Sequence, residues 1–260
     1  MRLKLIFALL ASSSIVCAED KLQDMSNPIA IYTQAGVGLS NKGINLKFGN
    51  TYDTGNDTSA GMNIIELKGI MGDTFGWADE SVSSNSIDSF RIRNFYGSTE
   101  TWSGRQLDLD WRFHTRPPLN DLGINSYGTA SYALAQALPP LGPFQLFPII
   151  GVGAIITDTD DGFKLPGVFA VAGFYGKVTL SDKIWLNYNP MYMRGISGVK
   201  TPFGDMNEQS LLAHEIAASY QLNPRQNIRL FVNFTNRDDD SSWSYLNDKG
   251  DIRFEFNHQF

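Results

Sequence analysis

The sequence predicts an all-β fold: a single transmembrane antiparallel β-barrel, with twelve strands fitting best and ten or fourteen also compatible. Three observations predict it. Hydrophobic residues recur at every second position along almost the whole chain, the alternating stretches are long, and the connections between them alternate between tight and extended.

The alternation is clearest in four places. Ile44, Leu46 and Phe48 alternate with Asn45, Lys47 and Gly49, and Leu107, Leu109, Trp111 and Phe113 with Gln106, Asp108, Asp110 and Arg112. Ile228, Leu230, Val232 and Phe234 alternate with Arg229, Phe231, Asn233 and Thr235, and Ile252, Phe254, Phe256, His258 and Phe260 with Arg253, Glu255, Asn257 and Gln259. A helix would scatter each set around its circumference, whereas a strand places each set on one face. Reading the whole chain this way gives strands at 29–39, 43–52, 61–71, 87–96, 104–114, 126–138, 146–156, 167–180, 183–196, 209–222, 225–236 and 250–260.

Strand length separates a membrane barrel from a soluble sandwich. A tilted strand needs about 9–11 residues to cross a bilayer, while soluble strands cluster near five or six. Ser181-Asp182, Asn223-Pro224 and Pro139–Pro143 are short connections, while Asp158–Lys164, Ser197–Glu208 and Arg237–Lys249 are polar and read as long external loops. Ser40–Lys42 is the exception, a short connection where a long one is expected. Aromatics near strand ends (Tyr96, Trp111, Phe113, Tyr188, Tyr192 and Tyr220) suit interfacial girdles.

Composition removes other classes. Charged residues make up 18% of the 260 residues, below the roughly 25% of soluble domains. The net charge of −6 and pI near 5.0 argue against a nucleic-acid partner, which needs a concentrated basic surface. Mean hydropathy is −0.19, and after residue 18 there is no apolar run near the roughly 20 residues of a spanning helix.

Residues 1–18 read as a secretory signal peptide, leaving 19–260 as one barrel domain. Arg2 and Lys4 precede the apolar run Leu5–Ala11, and Val16-Cys17-Ala18 supplies a cleavage site ahead of Glu19-Asp20. A buried N-terminal helix is the bland alternative. A lipoprotein signal ending at Cys17 is another, but Ser14-Ile15-Val16 matches it poorly. Cleavage after Ala18 removes Cys17, so no disulfide is expected. It also leaves 19 basic against 27 acidic residues, a net charge of −8.

The last strand ends on Phe260, with Phe256 and Phe254 in the same phase. In this the chain resembles Gram-negative outer-membrane β-barrel proteins. The resemblance implies that Phe254, Phe256 and Phe260 form a C-terminal signal read by the barrel assembly machinery, although His258 departs from the preferred apolar residue. It further implies export through the periplasm, both termini on the periplasmic side, residence in the bacterial outer membrane, and contact with its lipid and lipopolysaccharide.

If the apolar phase meets lipid, the other phase lines a lumen. Lys47, Glu66, Lys68, Arg91, Arg93, Asp108, Asp110, Arg112, Lys177, Glu215, Arg229, Arg253 and Glu255 all fall on that inward phase, eight basic against five acidic. A lipid-facing Lys or Arg at the midplane costs roughly 2–4 kcal/mol, so confinement to one phase is what a bilayer demands. The expectation is a porin-like channel for passive diffusion of small hydrophilic solutes, including anions drawn to a constriction around Arg91, Arg93, Arg112, Arg229 and Arg253. The small twelve-stranded porins for acidic sugars look like a model for it, but none of their specific motifs is present. Against this stands a closed interior, in which Arg91 and Arg93 neutralise Asp108 and Asp110 across strands while Phe95, Tyr175, Met191, Met193 and Phe231 fill space. Such a protein would be a surface or structural barrel binding partners through its loops.

Catalysis and metal binding have little support, and no cofactor is expected. Barrel lipid hydrolases place His and Ser two apart on one strand, and none of His114, His214 or His258 has that spacing. Ser210 lies four residues before His214, roughly 13 Å away at strand rise, too far for one to activate the other. The acidic runs Asp158–Asp161 and Asp238–Asp240, with Asp248, read as solvated loop tips rather than a calcium site.

Overall fold

The computed structural model describes residues 22–77, 83–115, 119–201, 204–236 and 251–260. The expected signal peptide at 1–18 and the acidic run Asp238–Asp240 with Asp248 lie outside the described residues.

The chain forms a closed antiparallel barrel of twelve strands: β1 (Gln34–Ser40), β2 (Gly43–Asp53), β3 (Ser59–Ile70), β4 (Ser89–Ser98), β5 (Ser103–Arg112), β6 (Ile124–Gln136), β7 (Phe144–Thr159), β8 (Gly162–Thr179), β9 (Ile184–Gly198), β12 (Ser210–Asn223), β13 (Gln226–Asn236) and β14 (Asp251–Gln259). Two further strands, β10 (Lys200–Thr201) and β11 (Gly204–Asp205), form a small hairpin between β9 and β12. One helical turn, α1 (Gly72–Phe75), lies between β3 and β4. Each barrel strand pairs with its neighbours, and β1 closes the cylinder on β14 from Gln34↔Gln259 to Ser40↔Arg253. Closure leaves no unpaired sheet edge, the condition for strands in hydrocarbon.

Side-chain phase is decided at β5. Leu107 is 56% exposed on the outside, whereas Asp108 is 8% exposed and points inward. In a soluble sandwich these values would be reversed. The same phase exposes Phe48, Ile65, Ile150, Leu230 and Phe254, and so contiguous an apolar surface requires a hydrocarbon surround. Aromatics mark both rims. Phe90, Trp111 and Phe113 lie beside the strand ends nearer the connecting loops, with Phe90 against Phe113 and Trp111 against Phe163. Tyr52, Tyr96, Tyr220 and Phe260 lie near the end that carries both termini.

Two sequence expectations are corrected. Residues 29–33 are not strand: β1 begins at Gln34, and Ile29 and Ile31 turn to the inner face, nearest Gly97 and Gly104. Asp158–Lys164 is not a long loop, because β7 and β8 stay paired through Thr157↔Lys164, Asp158↔Phe163 and Thr159↔Gly162. The hairpin closes through Asp160-Asp161, and Gly162 has φ of 101°, a conformation that glycine adopts without Cβ strain. The predicted loop at 237–249 lies outside the described residues.

Candidate functional site

Inside the barrel lies a cavity of about 520 Å³. Of the residues assigned to the lumen from sequence, Lys47, Glu66, Lys68, Arg91, Arg93, Asp108, Asp110, Arg112, Glu215, Arg229, Arg253 and Glu255 line it. Lys177 faces inward nearer the terminal end, where it bonds to Ser26.

The charges form a ladder across one side of the wall. Arg91 pairs with Asp108 through a charge-assisted fork, from Nε at 2.8 Å and from a terminal guanidinium nitrogen, and lies 3.8 Å from Asp110. Arg93 turns the other way to Glu66 at 2.5 Å, and Lys68 approaches the same carboxylate at 3.4 Å. The Arg91–Asp108 and Arg93–Glu66 pairs are diagonal, since Arg91 stands directly opposite Asp110 on one side and Glu66 on the other. Long side chains readily span the diagonal. Farther round, Glu255 accepts Lys47 at 2.6 Å and lies 3.3 Å from Arg253.

The Lys47–Glu255 pair crosses a whole strand. It links β2 to β14 over β1, whose inward positions there are Gly36 and Gly38. A Cβ on Gly36 would lie 3.0 Å from Lys47 Cε and 2.7 Å from Asn257 Oδ1, so glycine is what leaves the lysine its path.

Arg229 is placed differently. Its Nε donates to Ser219 Oγ and a terminal nitrogen to Asn187 Oδ1, both at 3.0 Å. Both partners are neutral, and among the described residues no carboxylate lies within ion-pair distance of it. Arg229 and Arg253 flank the Phe231 ring, with guanidinium carbons 4.5 and 4.2 Å from its centroid. Ring quadrupoles attract cations, so Phe231 holds two like charges close together.

The facing wall is built differently. The central inward positions of β7, β8 and β9 include Ile149, Val171, Met191 and Met193, with Tyr175 nearer the terminal end. Farther toward the loops, Ile155, Phe169, Met206 and Leu211 form a small apolar core inside the barrel. Met206 reaches it from the connection between β9 and β12, which folds inward.

Sequence reasoning missed the second obstruction, at the terminal end. Residues 22–33 cross the mouth as a strap. Gln23 and Gln259 exchange two hydrogen bonds. The Met25 sulfur, buried in the wall, accepts from Gln221 and Asn227. Lys177 Nζ donates to Ser26 Oγ at 3.0 Å and lies 3.8 Å from Asp24. Pro28–Ile31 then line the cavity, and Thr33 leads into β1 through its carbonyl, which accepts from the Phe260 N–H.

His214 lies on the outer face between Tyr188 and Phe234, stacked at 5.9 and 4.7 Å, and its Nδ1 is 2.9 Å from the Tyr188 hydroxyl. His258 Nδ1 lies 3.2 Å from Gln226 Nε2.

Neither a family model nor a curated protein sequence matches the chain. Solved structures do. An outer-membrane channel from Pseudomonas putida F1 aligns with a TM-score of 0.54 at 8% identity, over 92% of this chain and 99% of that one. The NanC porin gives 0.50 at 4% identity, over 88% and 98%. The fold is that of a small porin-like barrel. The KdgM porin aligns at 0.47 with 7% identity, over 88% and 99%. At such identities the likeness concerns the path of the chain, and the side chains inside this barrel are its own.

Proposed function

We propose that the protein is a passive outer-membrane channel for small hydrophilic solutes, anions among them. The observation that carries this reading is the charged, roughly 520 Å³ cavity enclosed by a cylinder whose outer face is apolar. Most of the wall charges pair with one another, but Arg229 lines the cavity with neutral partners only, and burying a charge without a counter-charge is costly unless it is put to use. The fold shared with a channel and a porin supports the same reading. The end carrying both termini then faces the periplasm, and the outward row Phe254, Phe256 and Phe260 serves as the segment read by the assembly machinery.

The strap and the Met206 core favour a second reading, a non-conducting barrel that binds partners through its loops. Planar-bilayer recording of the folded protein separates the two. Discrete current steps in chloride solution are expected, and their absence from correctly folded protein would reject the channel.

A further inference from the structure

The cavity has two unlike walls. On one, Arg91, Arg93 and Arg253 sit among carboxylates, and Arg229 lines the cavity with only the neutral Ser219 and Asn187 as its bonded partners among the described residues. On the other, Ile149, Val171, Met191 and Met193 offer hydrocarbon and thioether surface. The floor formed by Ile29 and Ile31 is apolar as well.

We infer that this chamber is a binding site for small amphipathic anions, solutes with a compact apolar or aromatic body and a single carboxylate. The inference deepens the channel reading, on which it rests only for how the solute enters. Each wall excludes one alternative. A sugar would set hydroxyls against Ile149, Val171 and Met191, which return no hydrogen bond, and would find only flanking groups such as Asn189 and Ser131 to pair with. A hydrocarbon without charge would cover the guanidiniums and leave them nothing in exchange. A carboxylate meets the Arg229 guanidinium, whose charge its neutral partners Ser219 and Asn187 leave uncancelled, by a charge-assisted bond while its body lies on the methionines, whose unbranched, polarisable chains adapt to different shapes. A cavity of about 520 Å³ lies within the range of small-molecule sites.

The test is calorimetric titration of the full folded barrel in detergent with sodium phenylacetate, sodium acetate and glucose. Phenylacetate is expected to bind at least about tenfold tighter than acetate, with glucose showing no heat. Met191→Gln with Val171→Thr, two near-isosteric changes on the apolar wall, should erase the preference. Equal affinity for phenylacetate and acetate, or a preference that survives the double substitution, would overturn the site. Selective binding by a protein that passes no current would overturn the channel reading and leave the site standing. Ion current without discrimination between the two acids would do the reverse.

Discussion

Lys177 Nζ lies 3.0 Å from Ser26 Oγ, and through that bond the wall of the barrel holds a segment that belongs to none of its strands. The strap from Leu22 to Thr33 touches β8, β12, β13 and β14 by side-chain contacts, yet β1 begins only at Gln34. The sheet therefore closes without it. Deleting residues 22–31 should leave the barrel folded and raise single-channel conductance severalfold in planar bilayers. Lys177→Met should give a smaller rise or added flicker, because it loosens one anchor and leaves Gln23 and Met25 in place. A truncated barrel with unchanged conductance would show that the strap does not limit flow.

Phase along β5 makes a second prediction. Leu107 faces outward and Gln106 inward, where its amide donates to Asp108 at 2.7 Å. Leu107→Arg near mid-strand should destabilise the membrane-inserted fold by roughly 2–4 kcal/mol. Gln106→Arg, one residue away, meets a carboxylate and should change stability by about 1 kcal/mol or less. Urea titration of both variants in lipid vesicles, followed by tryptophan fluorescence, checks the contrast.

That phase is legible in the sequence because the period of a strand is two, and slipping by one residue would turn every Leu and Asp of β5 to the wrong face. The strap is not legible for the same reason. Ile29 and Ile31 continue the alternation, and a segment lying on the inside wall needs one apolar face just as a strand does. What ends the sheet there is tertiary: Met25, Ile29 and Ile31 find an inner surface, opposite Gly97 and Gly104 among other residues, to pack against. The ion pairs were legible in part. Adjacent strands suggested that Arg91 and Arg93 meet Asp108 and Asp110, but Arg93 chooses Glu66 on its other neighbour, a choice set by register and twist, which period alone does not contain. The two-sided lumen was hidden because the central inward residues of β7 and β8 are apolar and so resemble their outward ones, leaving Val168–Val178 almost without contrast.

Arg91 and Asp108 form a bidentate pair in the wall. Arg91→Leu leaves Asp108, only 8% exposed, with Gln106 as its remaining close donor. The single change should cost about 3 kcal/mol, as loss of one partner of a buried pair does. Arg91→Leu with Asp108→Leu should cost less than Arg91→Leu alone, because no uncompensated charge is left behind. Equilibrium unfolding of the two single variants and the double variant gives the coupling directly, and additive losses would contradict the pairing.

Anion preference should rest on Arg229 more than on the arginines of the ladder. Arg91 and Arg93 are neutralised by Asp108 and Glu66, so a passing ion meets dipoles there. Arg229 is held by Ser219 and Asn187, which orient the guanidinium without cancelling its charge. A unit charge about 6 Å from an ion in water contributes roughly 0.7 kcal/mol. Arg229→Gln should accordingly weaken chloride entry and ease potassium entry about threefold each, lowering the chloride-to-potassium permeability ratio about tenfold at low salt, and by less in concentrated salt, where screening shortens its reach. Arg91→Gln with Asp108→Asn removes one charge of each sign and should leave the ratio nearly unchanged. Reversal potentials across a salt gradient measure both, and a larger shift from the neutralised pair than from Arg229 would mean that the ladder, not the lone guanidinium, selects the ion.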